Sequence, residues 1–253
     1  MLLCLFLIVS CQPPASLQNR DIVYHITPFK GLMAGFYDGM ISVGDLKTHG
    51  DTGLGGFDRL DGELVALDGD IYQVRVDGMV RLMNDSATSC FAVMTFFEED
   101  LQKAIESPAS MADLMRITET SMPSENFVYA ILIRGEFEWV LTRSIPAQTK
   151  PYPPLTDVVN KQTTFRYENV EGTIVGFWVP SYMAGVNKSG HHWHFLTKDR
   201  KGGGHLLDCR MIRGMASLDE SNTYMLVIPD HPDFRKMDLS QNDISAVKRV
   251  IGR

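Results

Sequence analysis

The stretch from Glu63 to Leu82, ELVALDGDIYQVRVDGMVRL, decides the fold class. Three apolar, β-branched runs, 63–67, 71–76 and 79–82, are separated by Asp68-Gly69 and Asp77-Gly78. Asp-Gly between such runs is a strong hairpin signal, so three consecutive antiparallel strands are expected. Toward the N-terminus, Val23–Ile26 reads as a short strand. The glycine-rich stretch 31–60 reads as loops and turns around a short element at 39–47. Toward the C-terminus, Phe91–Phe97 reads as a strand and 109–121 as a helix. Ser110 stands three before Asp113, as in a capping box, and Met111, Leu114, Met115 and Thr118 follow helical spacing. Phe127–Ile133 and Phe137–Arg143 read as a hairpin around Gly135, and Pro153–Gln162 as a short helix after the prolines. Thr163–Tyr167, Thr173–Val179, His191–Leu196, His205–Met211 and Thr223–Ile228 are strand-like. Ser240–Ile251 carries the apolar side of a helix in Ile244, Val247, Val250 and Ile251. The sum is an α+β protein, with strand-rich mixed sheets, few peripheral helices and a metal site on a sheet face. Two strand-rich halves, roughly 22–140 and 141–250, are compatible with two related β-rich subdomains.

Composition narrows the function. The 253 residues are 44% hydrophobic, enough for a packed core. Lys and Arg number 24 against 31 Asp and Glu, a net charge of −7. That balance argues against nucleic acid as the main partner, because phosphate binding wants a basic face. Four cysteines, at 4, 11, 90 and 209, are too few and too scattered for a disulfide framework or a CxxC metal knuckle. Cys90 and Cys209 sit in apolar, strand-like surroundings and read as buried free thiols.

The N-terminus stands apart. MLLCLFLIVS over 1–10 is too short to span a bilayer but suits the apolar region of a signal peptide. Ile8-Val9-Ser10-Cys11 has the form of a bacterial lipobox, and Gln12-Pro13-Pro14-Ala15-Ser16 follows as a tether. No Lys or Arg precedes the apolar stretch, the one departure from the pattern. The division expected is a lipoprotein-type signal over 1–10, a tether over 11–21 and a catalytic domain over 22–253. The location expected is the bacterial cell envelope, lipid-anchored at Cys11 or exported. The alternative is a plain hydrophobic N-terminus on a cytoplasmic protein.

Segment 190–208, GHHWHFLTKDRKGGGHLLD, carries the chemistry. Side chains two apart on a strand share a face, so His192 and His194 project together while His191 and Trp193 face the other way. The charged and then glycine-rich 197–204 reads as a hairpin connection that returns His205 beside that pair. Three neutral imidazoles on one sheet face suit Zn²⁺, and three protein ligands leave the open positions of a catalytic site. A pure histidine set without an obvious carboxylate tilts the choice to zinc over iron or manganese. His25, His49 and His231 are isolated and are not expected as ligands. Hydrolysis, hydration and polarisation of a chelating oxygen substrate all remain open to such a site.

Further motifs resemble the alpha-acetolactate decarboxylase family, which acts in acetoin formation. They are His49-Gly50-Asp51-Thr52-Gly53-Leu54-Gly55 and Leu60-Asp61-Gly62-Glu63, then Arg143-Ser144 with Gln148 and Lys150-Pro151-Tyr152. Gly172-Thr173-Ile174-Val175-Gly176-Phe177 follows, then the histidine segment with Gly203-Gly204-His205. The resemblance runs from about residue 23 to about residue 230. It implies zinc on His192, His194 and His205, catalytic roles for Glu63 and Arg143, and a homodimer. It further implies decarboxylation of 2-acetolactate to (R)-acetoin and CO₂ through a metal-stabilised enediolate. Two positions depart from the family pattern. Gly56 stands where members often have Thr, and no Asp or Glu follows Asp243 in a tail that members use to bring a carboxylate to the site. Rival readings are a zinc-binding lipoprotein that has lost catalysis and a His₃-metal hydrolase or cupin-like oxygenase.

Overall fold

The computed structural model describes residues 20–240. The expected signal, most of the tether and nearly all of the expected helix over 240–251 lie outside the described residues. The chain begins with β1 (Ile22–Ile26), α1 (Phe29–Met33), β2 (Ile41–Ser42), α2 (Val43–Lys47), β3 (Thr52–Phe57), β4 (Glu63–Leu67), β5 (Asp70–Val74), β6 (Val80–Leu82) and β7 (Thr88–Thr95). It continues with β8 (Leu101–Ile105), β9 (Ala109–Ser110), α3 (Met111–Ser121), β10 (Val128–Ser144), α4 (Leu155–Val159), β11 (Thr163–Val179), β12 (Gly190–Thr197) and β13 (Gly203–Ser221). Last come β14 (Thr223–Val227) and α5 (Pro232–Arg235). This is the strand-rich α+β architecture expected. None of the described helices is long and apolar enough to cross a membrane.

The first sheet runs β14-β1-β7-β3-β4-β5-β6, with β2 also on β7. The 63–82 stretch forms its far edge as three antiparallel strands. Asp68 and Gly69 turn the first hairpin at φ 56° and 85°. The second sheet runs β10-β11-β12-β13-β8, and β10 also pairs with β13. The four strands β10, β11, β12 and β13 thus close a circuit. Inside it lie Ile131, Ile133, Phe137, Trp193, Phe195 and Met211, with Leu114 of α3 packed on them. Ser110 and Asp113 form the reciprocal capping box at the start of α3.

Glycine was the misleading signal. Gly135 is not a turn: β10 runs unbroken from Val128 to Ser144, with bulges against β13 near Phe137 and Leu141. A Cβ at Gly135 would stand 2.2 Å from the Arg213 carbonyl oxygen, so the residue permits close strand approach rather than reversal. Likewise 52–57 is a wholly buried strand rather than loop. A Cβ at Gly53 would stand 2.3 Å from the Val93 carbonyl oxygen of β7. β11 likewise joins the separate strands expected at 163–167 and 173–179. The sheets do not divide at 140, which lies within β10. The chain changes sheet between β7 and β8, and β14 then returns to pair with β1 in parallel.

The two sheets share a core. Leu54, Phe91 and Val93 of the first meet Ala130, Phe177 and Val179 of the second, with Phe29 and Leu32 of α1 and Leu155 and Val158 of α4. Each of the Leu, Val and Phe side chains taken from water contributes roughly 1.5–3 kcal/mol before chain entropy is counted. Cys90 and Cys209 are buried and free.

Candidate active site

The site lies between the sheets, where β3 and β4 face β10, β12 and β13. His192 and His194 sit two apart on β12, opposite Phe177 and Val175 of β11. His205 on β13 is directly opposite His194. Candidate donor nitrogens of the three rings lie within 4.8 Å of one another, and all three residues are buried. The ring centroids are 5.2–5.3 Å apart.

His191 turns to the opposite face, against Trp178 and Trp193. Its Nε2 is 2.9 Å from the Thr118 hydroxyl of α3. Of the isolated histidines, His25 is buried beside Phe91 and His49 stacks on Tyr24. His231 stands with Asp38 and Asp233. There the Lys150 ammonium already pairs with both carboxylates, at 2.8 and 2.9 Å.

Local chemistry prepares the three rings as ligands. The His194 Nδ1 lies 2.8 Å from the Leu64 carbonyl oxygen, which can only accept. Nδ1 therefore carries the proton, and Nε2 keeps its lone pair. Burial holds His192 and His205 well below the ordinary imidazole value and His194 at about 3, so all three are neutral near pH 7. The His192 Nδ1 is buried without a partner among the described residues. Three neutral, converging imidazoles with an orphaned ring nitrogen fit a metal ion.

Two charged side chains adjoin the rings. Glu63 opens β4 and Arg143 nearly closes β10, in register with His205. Arg143 Nη1 and Glu63 Oε1 are 3.3 Å apart, with both side chains buried. Glu63 Oε2 is 3.6 Å from His194 Nε2. Burial pushes the Glu63 carboxyl up to about 7, against the opposing pull of Arg143. The Arg143 Nε is buried with no acceptor among the described residues.

A third charge, Lys188, was not foreseen. It is 7% exposed and lines the same cavity. In Asn187-Lys188-Ser189-Gly190 it reads as part of a solvated turn, and nothing in its spacing signals a buried ammonium. The cavity, about 480 Å³ with its open mouth included, has an apolar wall of Phe29, Leu32, Phe91, Ile145 and Leu155. Gly55 and Gly56 of β3 complete it. Desolvation within such a wall strengthens every charge interaction at the site.

The alpha-acetolactate decarboxylase family model matches residues 23–241. An alpha-acetolactate decarboxylase of Methanosarcina mazei is 43% identical over 230 residues, covering 91% of this chain and 80% of that protein. One of Raoultella terrigena is 39% identical, covering 91% of this chain and 89% of that protein. The crystal structure of alpha-acetolactate decarboxylase from Bacillus subtilis strain 168 superposes with a TM-score of 0.89 at 33% identity. It covers 92% of this chain and all of that one.

Proposed function

Since the chain belongs to the alpha-acetolactate decarboxylase family and is a decarboxylase, we propose that it converts 2-acetolactate to (R)-acetoin and CO₂ in the cavity between its sheets, with zinc as its metal. The observation that carries this reading is the donor set: three buried neutral imidazoles beside a carboxyl and a guanidinium. His192, His194 and His205 would hold the ion. A set of nitrogens alone, with positions left open, suits zinc in a catalytic role. When bound, the ion supplies Lewis-acid stabilisation of negative charge on the substrate's oxygens.

The substrate brings its own electron sink. When the bond from C2 to the carboxyl carbon breaks, its electron pair passes into the neighbouring ketone and gives an enediolate. No thiamine or pyridoxal cofactor is needed for that step. Arg143 presents a fixed, permanently charged fork that steadies the negative charge left behind. Glu63, poised at about 7, can both hold and release a proton near neutrality. It delivers that proton to one face of C2 and so sets the chirality of the acetoin. Arg143, 3.3 Å away, keeps the carboxyl oriented.

The test is turnover of racemic acetolactate by the zinc-loaded protein, following CO₂ and acetoin. Chelation should abolish turnover, and zinc should restore it. Stoichiometric zinc with no release of CO₂ would leave a metal-binding protein without this catalysis.

Cys11 is read as the site of a lipid anchor that holds the enzyme on the cell envelope, a reading supported by Ile8-Val9-Ser10-Cys11 and the tether after it. Cys11→Ser should then shift the protein from the membrane fraction to a soluble or unprocessed form. Native protein recovered from the cytosol with Met1 retained would contradict it.

A further inference from the structure

Resting on the decarboxylase reading above, we propose that Lys188 is the group that docks the substrate's carboxylate, leaving Arg143 to Glu63 and to the charge that develops on C2. Lys188 is more than nine-tenths buried and lines the cavity with the three histidines, Glu63 and Arg143. Its Nζ donates to the His191 carbonyl oxygen. A carbonyl neutralises no charge, and an ammonium has three protons to give. No carboxylate pairs with it among the described residues. A desolvated cation without a counter-ion is costly to hold, and substrate would supply the missing anion. Arg143, by contrast, already has its carboxylate at 3.3 Å. Burial, with Arg143 nearby, pulls the Lys188 ammonium down to about 7. The cavity therefore holds two basic groups and one acid, and 2-acetolactate brings a carboxylate that would hold Lys188 in its charged form.

The position of Lys188 is fixed from behind. Its backbone N–H donates to Asn187 Oδ1 at 2.7 Å. Asn187 Nδ2 donates to the Tyr224 hydroxyl at 2.9 Å, and that oxygen lies 2.6 Å from His25 Nδ1. Asn187 and His25 are themselves buried. This chain of polar groups ties the start of β12 to β14 and β1, so Lys188 stands on a braced segment rather than a free loop.

A contact with the carboxylate that holds equally in the bound substrate and in the transition state is uniform binding. Its loss should therefore raise KM and leave kcat little changed. Two small ligands separate docking from bracing. 2-Hydroxy-2-methylpropanoate keeps the hydroxyl and carboxylate but has no ketone, and butane-2,3-diol has no carboxylate. Lys188→Met in the zinc-loaded protein should weaken the first in calorimetry by about tenfold or more, the scale of a lost charge-assisted hydrogen bond. The diol should be unaffected, KM for acetolactate should rise in parallel, and Lys188→Arg should recover much of the loss. Lys188→Gln serves the same comparison should the Met variant unfold. Equal weakening of both ligands, or of neither, would overturn the proposal and leave Lys188 as a brace on the His191 carbonyl. Absence of acetoin from the wild-type enzyme would instead sink the decarboxylase reading, while the two calorimetric affinities still report on Lys188.

Discussion

Glu63 and Arg143 share one buried ion pair but are predicted to fail in different ways. Glu63→Gln keeps size and hydrogen bonding and removes the proton. It should leave zinc bound and depress turnover by about 10²-fold or more, the usual scale for a positioned acid–base group. If Glu63 sets the protonated face, the residual acetoin should lose enantiomeric purity on chiral chromatography. Near-normal turnover with unchanged enantiomeric excess would make it a structural carboxylate. Arg143→Lys keeps charge but loses the planar fork that steadies the charge developing on C2, so turnover should slow at constant metal content. His194→Ala should lose stoichiometric zinc and activity together. His191→Ala should keep the metal, because its ring meets Thr118 on the opposite face of β12. Metal analysis of the two variants separates them, and zinc retained in full by His194→Ala would sink the three-ligand assignment. Strand alternation was enough to bring the three rings together on paper, since it depends only on a period of two. Glu63 and Arg143 carried no such signal, because they lie 80 positions apart and meet only through the packing of two sheets. Lys188 was illegible for a stronger reason: polar neighbours in sequence conceal a side chain that the fold buries.

β3 tests what its glycines do. A Cβ at Gly55 would stand 2.0 Å from the Phe91 carbonyl oxygen and 2.9 Å from the Ala92 Cα, both backbone atoms that cannot step aside. At Gly56 the nearest atom is the tip of the Leu60 side chain at 3.0 Å, and the next lies 3.8 Å away. Gly55→Ala should therefore pry β3 from β7 and cost at least the ~1–3 kcal/mol typical of overpacking. Gly56→Ala should unfold near the wild-type temperature, and Gly56→Thr should fold as well. Thermal denaturation of the three variants checks this, and a Gly55→Ala protein as stable as wild type would refute the close-approach argument. The same ambiguity explains which elements were readable. Asp68-Gly69 announced its turn because the flanking runs are strongly apolar and β-branched. Gly53 and Gly135 look alike in composition, yet they serve strand contact, and only the neighbouring strand distinguishes the two uses.

Across the whole molecule, acidity gathers where the chain changes sheets. Asp219, near the end of β13, is buried and accepts a hydrogen bond from the Glu98 N–H at 3.2 Å. Burial pushes its carboxyl up to about 7, with Asp100, Asp21 and Glu98 adding repulsion against the pull of that N–H. Unfolded, the group titrates near its ordinary value of 3.8. Between those values the folded chain holds a proton that the unfolded chain has released. The associated stability is present at low pH and is lost as pH rises through the window. Glu63 has the same sign, with its own carboxyl at about 7. Carboxylates held below their ordinary value, such as Asp113, act in the opposite sense only at more acidic pH. The buried histidines act in the opposite sense over pH 5 to 7, because they stay neutral in the folded chain while the unfolded chain's imidazoles still bind protons there. The contribution of Asp219 is therefore read as a difference between wild type and a variant. Asp219→Asn keeps an acceptor for the Glu98 N–H but cannot titrate. It should gain on wild type at pH 8 relative to pH 5 while zinc content and turnover stay unchanged. Calorimetric scans of both proteins at the two pH values decide it. Parallel pH dependence of the two proteins would mean that Asp219 is already ionised in the folded chain.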